Sequence, residues 1–202
     1  VLGGRILARS EARKLLVLGA GAVSGDLVRA YTEVFPALEG IEIWNRTPDR
    51  AVALVLELAE EGIAVAICDD LAESVRGSDI VAAATMASEP IIKGEWVSAG
   101  THVDLVGAFT PHMREADDEL MAKACVFVDS RETTLNHIGE LIDPIANGAI
   151  TEKDVLADLY DLADGQGGRK SPEDITLFKN GGGAHLDLMT ARYIMKQADR
   201  HD

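Results

Sequence analysis

The sequence predicts an α/β protein of the Rossmann type, with a doubly wound, mostly parallel sheet and helices on both faces of that sheet. Three observations predict this fold. Apolar runs alternate with helical segments, which is the pattern of strands joined by right-handed crossovers. The runs are continuously apolar, as expected for strands that are buried on both faces. A glycine-rich turn joins the run at 14–18 directly to a helix, as in the first strand–helix unit of such sheets.

The elements follow in order along the chain. Helix 48–61 has the clearest start, because Thr47 can cap it, Pro48 fits its first turn and Asp49 suits the positive end of its dipole. Residues 165–169 are rich in glycine and predict a surface loop. Strands are predicted at 14–18, 41–44, 63–68, 79–83, 102–106, 126–129 and 175–179, and helices at 21–34, 48–61, 115–124 and 184–198.

The charge of the chain restricts its partners. Among 202 residues, 19 are basic and 34 are acidic, which gives a formal net charge of −15. Such a surface repels polyanions, so we expect neither nucleic acid nor an anionic membrane as a partner. No apolar run approaches the ~20 residues of a membrane-spanning helix. Cys68 and Cys125 stand far apart in apolar runs, which favours buried thiols in the cytoplasm and no metal site.

The strongest local motif is the turn after the first predicted strand, Gly-Ala-Gly-Ala-Val-Ser at 19–24. The first glycine permits a tight turn, the second lets the backbone approach a diphosphate, and a small third residue lets the helix pack close to the strand. The free N–H groups at the start of the helix favour an anion. A tight turn without a ligand is the alternative. The residues predicted to bind a dinucleotide here are Gly19, Gly21, Ala22, Val23 and Ser24.

The end of the second predicted strand indicates which dinucleotide is bound. A site for NAD commonly has an acidic residue there, whereas this chain has Asn45, Arg46 and Thr47. An arginine attracts a 2′-phosphate and can bind two of its oxygens, and Arg50 lies one helical turn further on. The sequence therefore favours NADP(H) over NAD(H). In the alternative interpretation, Arg46 is a solvated turn residue and Thr47 is only a helix cap.

The topology of the fold predicts further residues of the site. Ligands of open α/β sheets bind beyond the carboxyl ends of the strands. The segment at 179–183 forms a second glycine-rich junction between a strand and a helix, which a planar ring can approach closely. The additional cofactor-binding residues predicted in these loops are Thr85, Met86, Ala87, Val106, Gly107, Ala108, Lys179, Asn180 and Gly181.

These motifs together resemble the ornithine cyclodeaminase/mu-crystallin family. The family implies a nicotinamide-binding domain and a second lobe, which binds the substrate carboxylate and forms a homodimer. That lobe is built mostly from residues that precede the stretch matched here, so its arginine and lysine are not assigned. The resemblance spans essentially the whole chain, and its most specific segments are 95–96, 100–103, 106–111, 114–115, 128–132 and 175–179.

The two ends of the chain indicate how it is divided. Residues 1–9 are typical of the end of a helix already under way, and the chain opens on valine rather than methionine. We therefore expect residues 1–11 to lead from an N-terminal lobe that lies outside this sequence. Residues 12–179 then form the dinucleotide-binding domain, and residues 180–202 form a C-terminal helix that returns toward that lobe.

Two departures from the family pattern bear on the reaction. Family cyclodeaminases carry a proton-transferring aspartate in the loop after the Val-Gly pair, whereas the matching place here is around Phe109. The imine reductases of the family tolerate this change, because an iminium carbon is already electrophilic. We therefore expect an NADPH-dependent reductase that converts a small cyclic or linear imino acid to an amino acid. At residues 180–182, Asn-Gly-Gly replaces a bulkier pattern, which predicts open space beside the nicotinamide.

Two alternative functions stay open. One is a cyclodeaminase that converts ornithine to proline and ammonia with bound NAD, and the other is a dinucleotide-binding module without catalysis. The sequence does not assign a catalytic residue. His112, in the loop after the fifth predicted strand, and His185, at the start of the last helix, are candidates for proton transfer. A solvated loop residue is the alternative for His112, and His102, within a strand, is expected to be structural.

Overall fold

The computed structural model describes residues 1–198, except for the side chain of residue 185. Within these residues, eight strands form one sheet in which every neighbouring pair is parallel. This sheet confirms the predicted doubly wound fold. The strands are β1 (Lys14–Leu18), β2 (Gly40–Trp44), β3 (Ala66–Ile67), β4 (Ile80–Ala83), β5 (His102–Leu105), β6 (Cys125–Val128), β7 (Val155–Asp158) and β8 (Thr176–Lys179). Their order in the sheet is β3-β2-β1-β4-β5-β8-β6-β7.

Nine α-helices occur in the same part of the chain, and the last of them is exposed along its length. None of these helices combines the length and the apolar character that a membrane span requires. Short 3-10 helices occur at Gly94–Trp96 and Glu152–Asp154. The α-helices are α1 (Leu2–Leu7), α2 (Ala22–Val34), α3 (Pro48–Glu60), α4 (Leu71–Gly77), α5 (Asp118–Lys123), α6 (Arg131–Thr134), α7 (Gly139–Ala146), α8 (Leu159–Ala163) and α9 (Ala184–Ala198).

The edges of the sheet differ most from the sequence prediction. The strand predicted at 63–68 is reduced to the two residues of β3, which pairs only with β2. The strand β7 at the other edge is not predicted, because only Val155 and Ala157 of its four residues are buried. The short helices α4, α6, α7 and α8 are also missed, since so few turns give little periodicity. The helix predicted at 115–124 begins later, where the Asp117 carboxylate accepts from Leu120 N at 2.8 Å and caps α5.

The hydrophobic core lies on both faces of the sheet. Alternate residues of β1 belong to different halves of this core, as the pleat of a strand requires. Leu16 and Leu18 pack in the half that includes buried residues of α4, α5 and α7. Leu15 and Val17 pack in the half that includes buried residues of α2 and α3. The continuously apolar strands thus have the two covered faces that their sequence predicts.

The N-terminal helix α1 packs on the same domain. Leu7 is fully buried in a cluster with Phe127 and Phe178. Gly3 passes over the Phe178 ring, and a Cβ atom at this glycine would lie 2.6 Å from Cγ of that ring. The Leu7 backbone oxygen accepts a hydrogen bond of 2.8 Å from Arg169 Nε. Helix α1 therefore forms part of the cover of the sheet.

The strand order creates a crevice between β1 and β4. From β1 the chain first builds outward through β2 and β3, and then continues on the other side with β4 and β5. The loops after β1 and β4 consequently diverge at the carboxyl edge, which is where ligands of this fold bind. Strand β8 lies between β5 and β6 and brings its own loop to the same edge, where Asn180 N donates to Leu105 O at 2.9 Å.

Candidate functional site

The turn after β1 requires glycine at its first position. Gly19 has a φ of 111°, and a Cβ atom there would lie 2.6 Å from the backbone oxygen of Ala84 and 2.9 Å from Ser24 Oγ. An L-side chain is strained at this φ, and the neighbouring backbone leaves it no space. Ser24 is fully buried beneath the turn, so α2 begins close against β1. The Gly19 N–H donates to Trp44 O at 2.8 Å and ties the turn to β2.

The second glycine of the turn faces open space. Gly21 has a φ of −102°, and a Cβ atom there would meet no atom within 4 Å. It is the N-cap of the 13-residue α2, which has neither a side-chain cap nor an acidic residue in its first turn. The first N–H groups of a helix lack intrahelical acceptors, and the helix dipole is positive at this end. The open turn and these amides together fit an anion such as a diphosphate.

A cleft of about 360 Å³ lies at the crevice between β1 and β4. It joins the glycine turn, the end of β2 and the loop after β4, so three of the predicted groups meet here. Trp44 and Ile91 add apolar walls that sequence reasoning does not assign. A second groove of about 460 Å³ continues from Gly21 between α2 and α3. The residues that line the first cleft are Gly19, Ala20, Gly21, Trp44, Asn45, Arg46, Thr47, Arg50, Ala84, Thr85, Met86, Ala87 and Ile91.

The basic side of this cleft is formed by Arg46 and Arg50, which are both exposed. Asn45 holds the turn between β2 and α3, because its Nδ2 donates to Thr47 O at 2.8 Å. Thr47 stands at the N-cap of α3, but its side chain does not make the capping hydrogen bond that the sequence predicts. Arg29 also lies near the second groove, where Glu57 and Glu61 bind its guanidinium.

The loop after β5 lies directly against the loop after β4. A Cβ atom on Gly107 would overlap the backbone of Thr85 and would lie 2.5 Å from Glu115 Oε1. Val106 N donates to Ala83 O at 2.8 Å, which fixes the start of this loop. Two large apolar side chains at this edge face solvent, since Met86 is 81% exposed and Phe109 is 58% exposed.

The loop after β8 is packed more closely than its sequence predicts. A Cβ atom on Gly181 would lie 2.8 Å from Thr134 Cγ2 and 3.1 Å from Ile138 Cδ1. The open space predicted at 180–182 is therefore wrong at Gly181, because the side chains of Thr134 and Ile138 occupy it. Asp129 holds Gly182, the residue after Gly181, because its Oδ2 accepts a hydrogen bond of 3.1 Å from Gly182 N.

Three of the predicted cofactor-binding residues have no exposed surface. Ser24, Ala108 and Lys179 are completely buried, so they support the edge of the sheet from beneath rather than line the cleft. The Lys179 ammonium donates to Leu105 O at 3.2 Å. Burial lowers the pKa of Lys179, and the neighbouring carboxylates of Glu140 and Glu115 act in the opposite direction.

The histidines differ in their placement. His112 is exposed in the loop that follows β5. The side chain of His185 lies outside the described residues. His102 is buried at the amino end of β5, at the opposite edge of the sheet from the cleft, and its Nδ1 lies 2.9 Å from Thr176 Oγ1. Burial lowers the pKa of His102 to about 4, so its ring is neutral at neutral pH.

Two buried carboxylates beside the cleft are missed by sequence reasoning. Glu115 and Glu140 are both completely buried, and both interact electrostatically with Lys179. Burial raises the pKa of both side chains, to about 7 for Glu140. Only Glu140 carries a usable signal in the sequence, because it stands between the apolar residues Ile138 and Leu141, which are themselves buried. Glu115 stands in a mostly polar stretch and has no such signal.

Comparison with known proteins decides the family. The model of the ornithine cyclodeaminase/mu-crystallin family matches residues 1–202. The chain belongs to this family. The finding confirms the resemblance that the motifs of the sequence predict.

Individual members of the ornithine cyclodeaminase/mu-crystallin family resemble the chain over most of its length. It is 56% identical over 197 residues to the Delta(1)-pyrroline-2-carboxylate reductase of Paracoccus denitrificans, which covers 97% of this chain and 62% of that protein. It is 37% identical over 180 residues to the ketimine reductase mu-crystallin of Rattus norvegicus, which covers 89% of this chain and 54% of that protein.

A solved structure gives the same result. The Delta(1)-pyrroline-2-carboxylate reductase of Thermococcus litoralis, in complex with NADH and L-proline, superposes with a TM-score of 0.93 at 33% identity. The match covers 99% of this chain and 62% of that protein. The chain thus spans between 54% and 62% of the length of these three relatives.

Proposed function

We propose that this chain is the nicotinamide-dinucleotide-binding part of an oxidoreductase that reduces a small cyclic or linear imino acid to an amino acid. The observation that carries the proposal is the cleft between β1 and β4, where Gly21 leaves room for a diphosphate beside the first amides of α2. The 56% identity to a pyrroline-2-carboxylate reductase supports the reaction. So does the relative that holds NADH and L-proline together.

Each part of the cleft fits one part of a dinucleotide. The turn at 19–24 and the start of α2 would hold the diphosphate. Asn45, Arg46 and Arg50 would receive the adenosine ribose at the end of β2. The loops after β4 and β5 would hold the nicotinamide ring, with Thr85 at the border of the cleft.

The reaction requires little acid–base chemistry from this chain. When bound, the cofactor would supply a hydride to the imine carbon, and the imine nitrogen would gain a proton. Among the side chains that the structure describes, the exposed imidazole of His112 is the candidate for delivering that proton, and His185 stays a second candidate from the sequence. Met86 and Phe109 present apolar surface at the same edge and would exclude water from the reacting atoms.

We further propose that NADP(H) is preferred over NAD(H). Arg46 and Arg50 stand exposed on the wall of the cleft, where a 2′-phosphate would meet both charges. A carboxylate at the end of β2, which would repel that phosphate, is replaced here by Asn45. The relative from Thermococcus litoralis holds NADH, so the preference rests on the two arginines alone.

The remaining part of the enzyme lies outside this chain in the proposal. An N-terminal lobe would bind the substrate carboxylate and form a homodimer, with residues 1–11 leading from it and residues 180–202 returning to it. Helix α9 fits this arrangement, because apolar side chains such as Leu188 and Ile194 are exposed along it. Cys68 and Cys125 are free thiols, which fits a protein of the cytoplasm.

The complete gene product that carries this chain tests the proposal. We expect it to oxidise NADPH, followed by the loss of its absorbance, when Δ1-pyrroline-2-carboxylate or a linear imino acid is added. Ammonia release from ornithine without net NADH formation would indicate a cyclodeaminase instead, a reaction for which Phe109 provides no proton-transferring group. Tight cofactor binding without turnover of any of these compounds would indicate a dinucleotide-binding module without catalysis.

A further inference from the structure

A single buried carboxylate joins the loops that follow β4 and β5. Glu115 Oε1 accepts hydrogen bonds from Thr85 N at 2.8 Å and from Thr85 Oγ1 at 2.7 Å. Its Oε2 accepts from Gly107 N at 2.9 Å and from Ala108 N at 3.3 Å. The carboxylate of Glu115 thus accepts four hydrogen bonds from the two loops. The pairing of β4 with β5 ends before these loops begin, so it does not hold them together.

Only an ionised carboxylate satisfies this set of donors. It offers two oxygens with about four acceptor positions, and it has no hydrogen of its own. A glutamine would turn an NH2 group toward one of the loops, where it would face N–H groups that are already donors. The contact between the loops leaves no room to rearrange, because a Cβ atom on Gly107 would overlap the backbone of Thr85.

The backbone of Glu115 and the charge of its carboxylate each have a buried partner. Both oxygens of Glu140 accept from the backbone that carries Glu115, at 2.8 Å from Ala116 N and at 3.0 Å from Glu115 N. Lys179, from the neighbouring strand β8, supplies the opposing positive charge and donates to the last residue of β5. The arrangement links α7, β8 and the two loops through groups that are all hidden from solvent.

We propose that Glu115 is a positioning residue, whose carboxylate holds the loops at 85–87 and 106–108 at the spacing that receives the nicotinamide ring and its substrate. The proposal rests on the proposed function for what the loops receive, but the fixing of the loops themselves does not depend on it. Glu115 has no exposed surface, so it acts through Thr85, Gly107 and Ala108 and not by touching a ligand.

The variant Glu115→Gln separates positioning from binding. The diphosphate and adenosine contacts lie on the turn after β1 and the end of β2, so we expect the Kd for NADPH to change by less than about threefold. A displaced ring reacts poorly, so kcat for imino acid reduction should fall by about tenfold to a hundredfold. A kcat equal to that of the unchanged protein would overturn the proposal.

A matched control distinguishes this effect from a loss of stability. Asp79 also uses its carboxylate to accept backbone N–H groups, from Arg13 at 2.8 Å and Lys14 at 3.0 Å, but at the amino edge of the sheet. The variant Asp79→Asn should lower the Tm and leave kcat unchanged. If kcat falls in both variants in proportion to the loss of Tm, Glu115 has only a structural role and the positioning proposal is refuted.

Hydrogen exchange gives a readout that needs no catalysis. In Glu115→Gln the amides of Thr85, Gly107 and Ala108 should exchange about tenfold faster, whereas Asp79→Asn should leave them unchanged. If Glu115→Gln does not fold, Glu140→Gln can replace it, because Glu140 binds the backbone that carries Glu115. This variant should also lower kcat and speed the exchange of the three amides. If the protein without substitutions reduces no imino acid, the proposed function is refuted. If the exchange rates of these three amides in Glu115→Gln equal those of that protein, the inference about Glu115 is refuted.

Discussion

The two glycines of the turn after β1 have opposite surroundings, so a pair of alanine variants separates folding from binding. In Gly19→Ala the new side chain would adopt a φ of 111° with its Cβ 2.6 Å from the Ala84 backbone oxygen. The backbone strain costs about 1–2 kcal/mol and the overlap with a fixed backbone about 1–3 kcal/mol. We therefore expect the free energy of unfolding to fall by about 2–5 kcal/mol.

The variant Gly21→Ala should behave in the opposite way. The new Cβ meets no atom within 4 Å and the φ of −102° suits any L-residue, so the free energy of unfolding should change by less than about 1 kcal/mol. The same methyl group would stand where the diphosphate approaches the backbone. The Kd for NADPH should consequently rise at least about tenfold, which corresponds to about 1.4 kcal/mol.

Urea unfolding and a fluorescence titration with NADPH measure the two effects on the same samples. Gly62→Ala is the control for backbone strain, because Gly62 has a φ of 82° but a Cβ there would meet nothing within 4 Å. If Gly19→Ala costs no more than Gly62→Ala, the close approach of Ala84 is not a constraint. If Gly21→Ala binds NADPH as the unchanged protein does, the diphosphate does not lie on this turn.

Three further predictions concern other parts of the molecule. Arg46→Asp should weaken NADPH binding by about 1–3 kcal/mol in a calorimetric titration and NADH binding less, and equal effects would remove the assignment of a 2′-phosphate to Arg46. Leu7→Ala should lower the free energy of unfolding in urea by about 2–5 kcal/mol, and a near-zero change would mean that α1 does not cover the sheet. Burial raises the pKa of Glu140 to about 7, so the folded protein holds this proton more tightly than the unfolded chain does. The stability that this group contributes is then complete below its unfolded pKa and is lost as the pH rises through about 7. When the pH is raised from about 5 to about 8, the free energy of unfolding should fall by about 1–3 kcal/mol less in Glu140→Gln than in the protein without substitutions. If the two proteins show parallel profiles of unfolding free energy against pH, this prediction is wrong.

The parts of the site that depend on neighbouring residues could be predicted from the sequence. Gly19, Gly21 and Ser24 stand within six consecutive positions, and each has a requirement that follows from the geometry of a single turn. Arg46 and Arg50 are likewise placed by one strand end and one helical turn. The cleft contains all of these except Ser24, which supports it from beneath.

The parts that depend on distant residues could not be predicted. Glu115 meets Thr85 across 30 residues of sequence, and Glu140 meets the Glu115 backbone across 25. Nothing local in the sequence distinguishes Glu115 from a carboxylate on a solvated helix face, because charged residues surround it. The insertion of β8 between β5 and β6 equally depends on long-range pairing. So does the contact of Thr134 with Gly181, which fills the open space that the sequence predicts at this residue.

The buried carboxylates at the carboxyl edge of the sheet have a common physical origin. Glu115, Asp129 and Glu140 are completely buried, and each accepts backbone N–H groups at this edge of the sheet. Where a chain leaves the sheet to form a cleft, its amides lose their strand partners, and buried amides without acceptors are costly. A carboxylate can serve several of them at once, but it must itself be compensated, which is the role that the charge of Lys179 fulfils for Glu115 and Glu140. Buried charge is therefore expected wherever this fold builds a rigid cleft, and Lys179→Met should destabilise the loops of the cleft more than the strands beneath them.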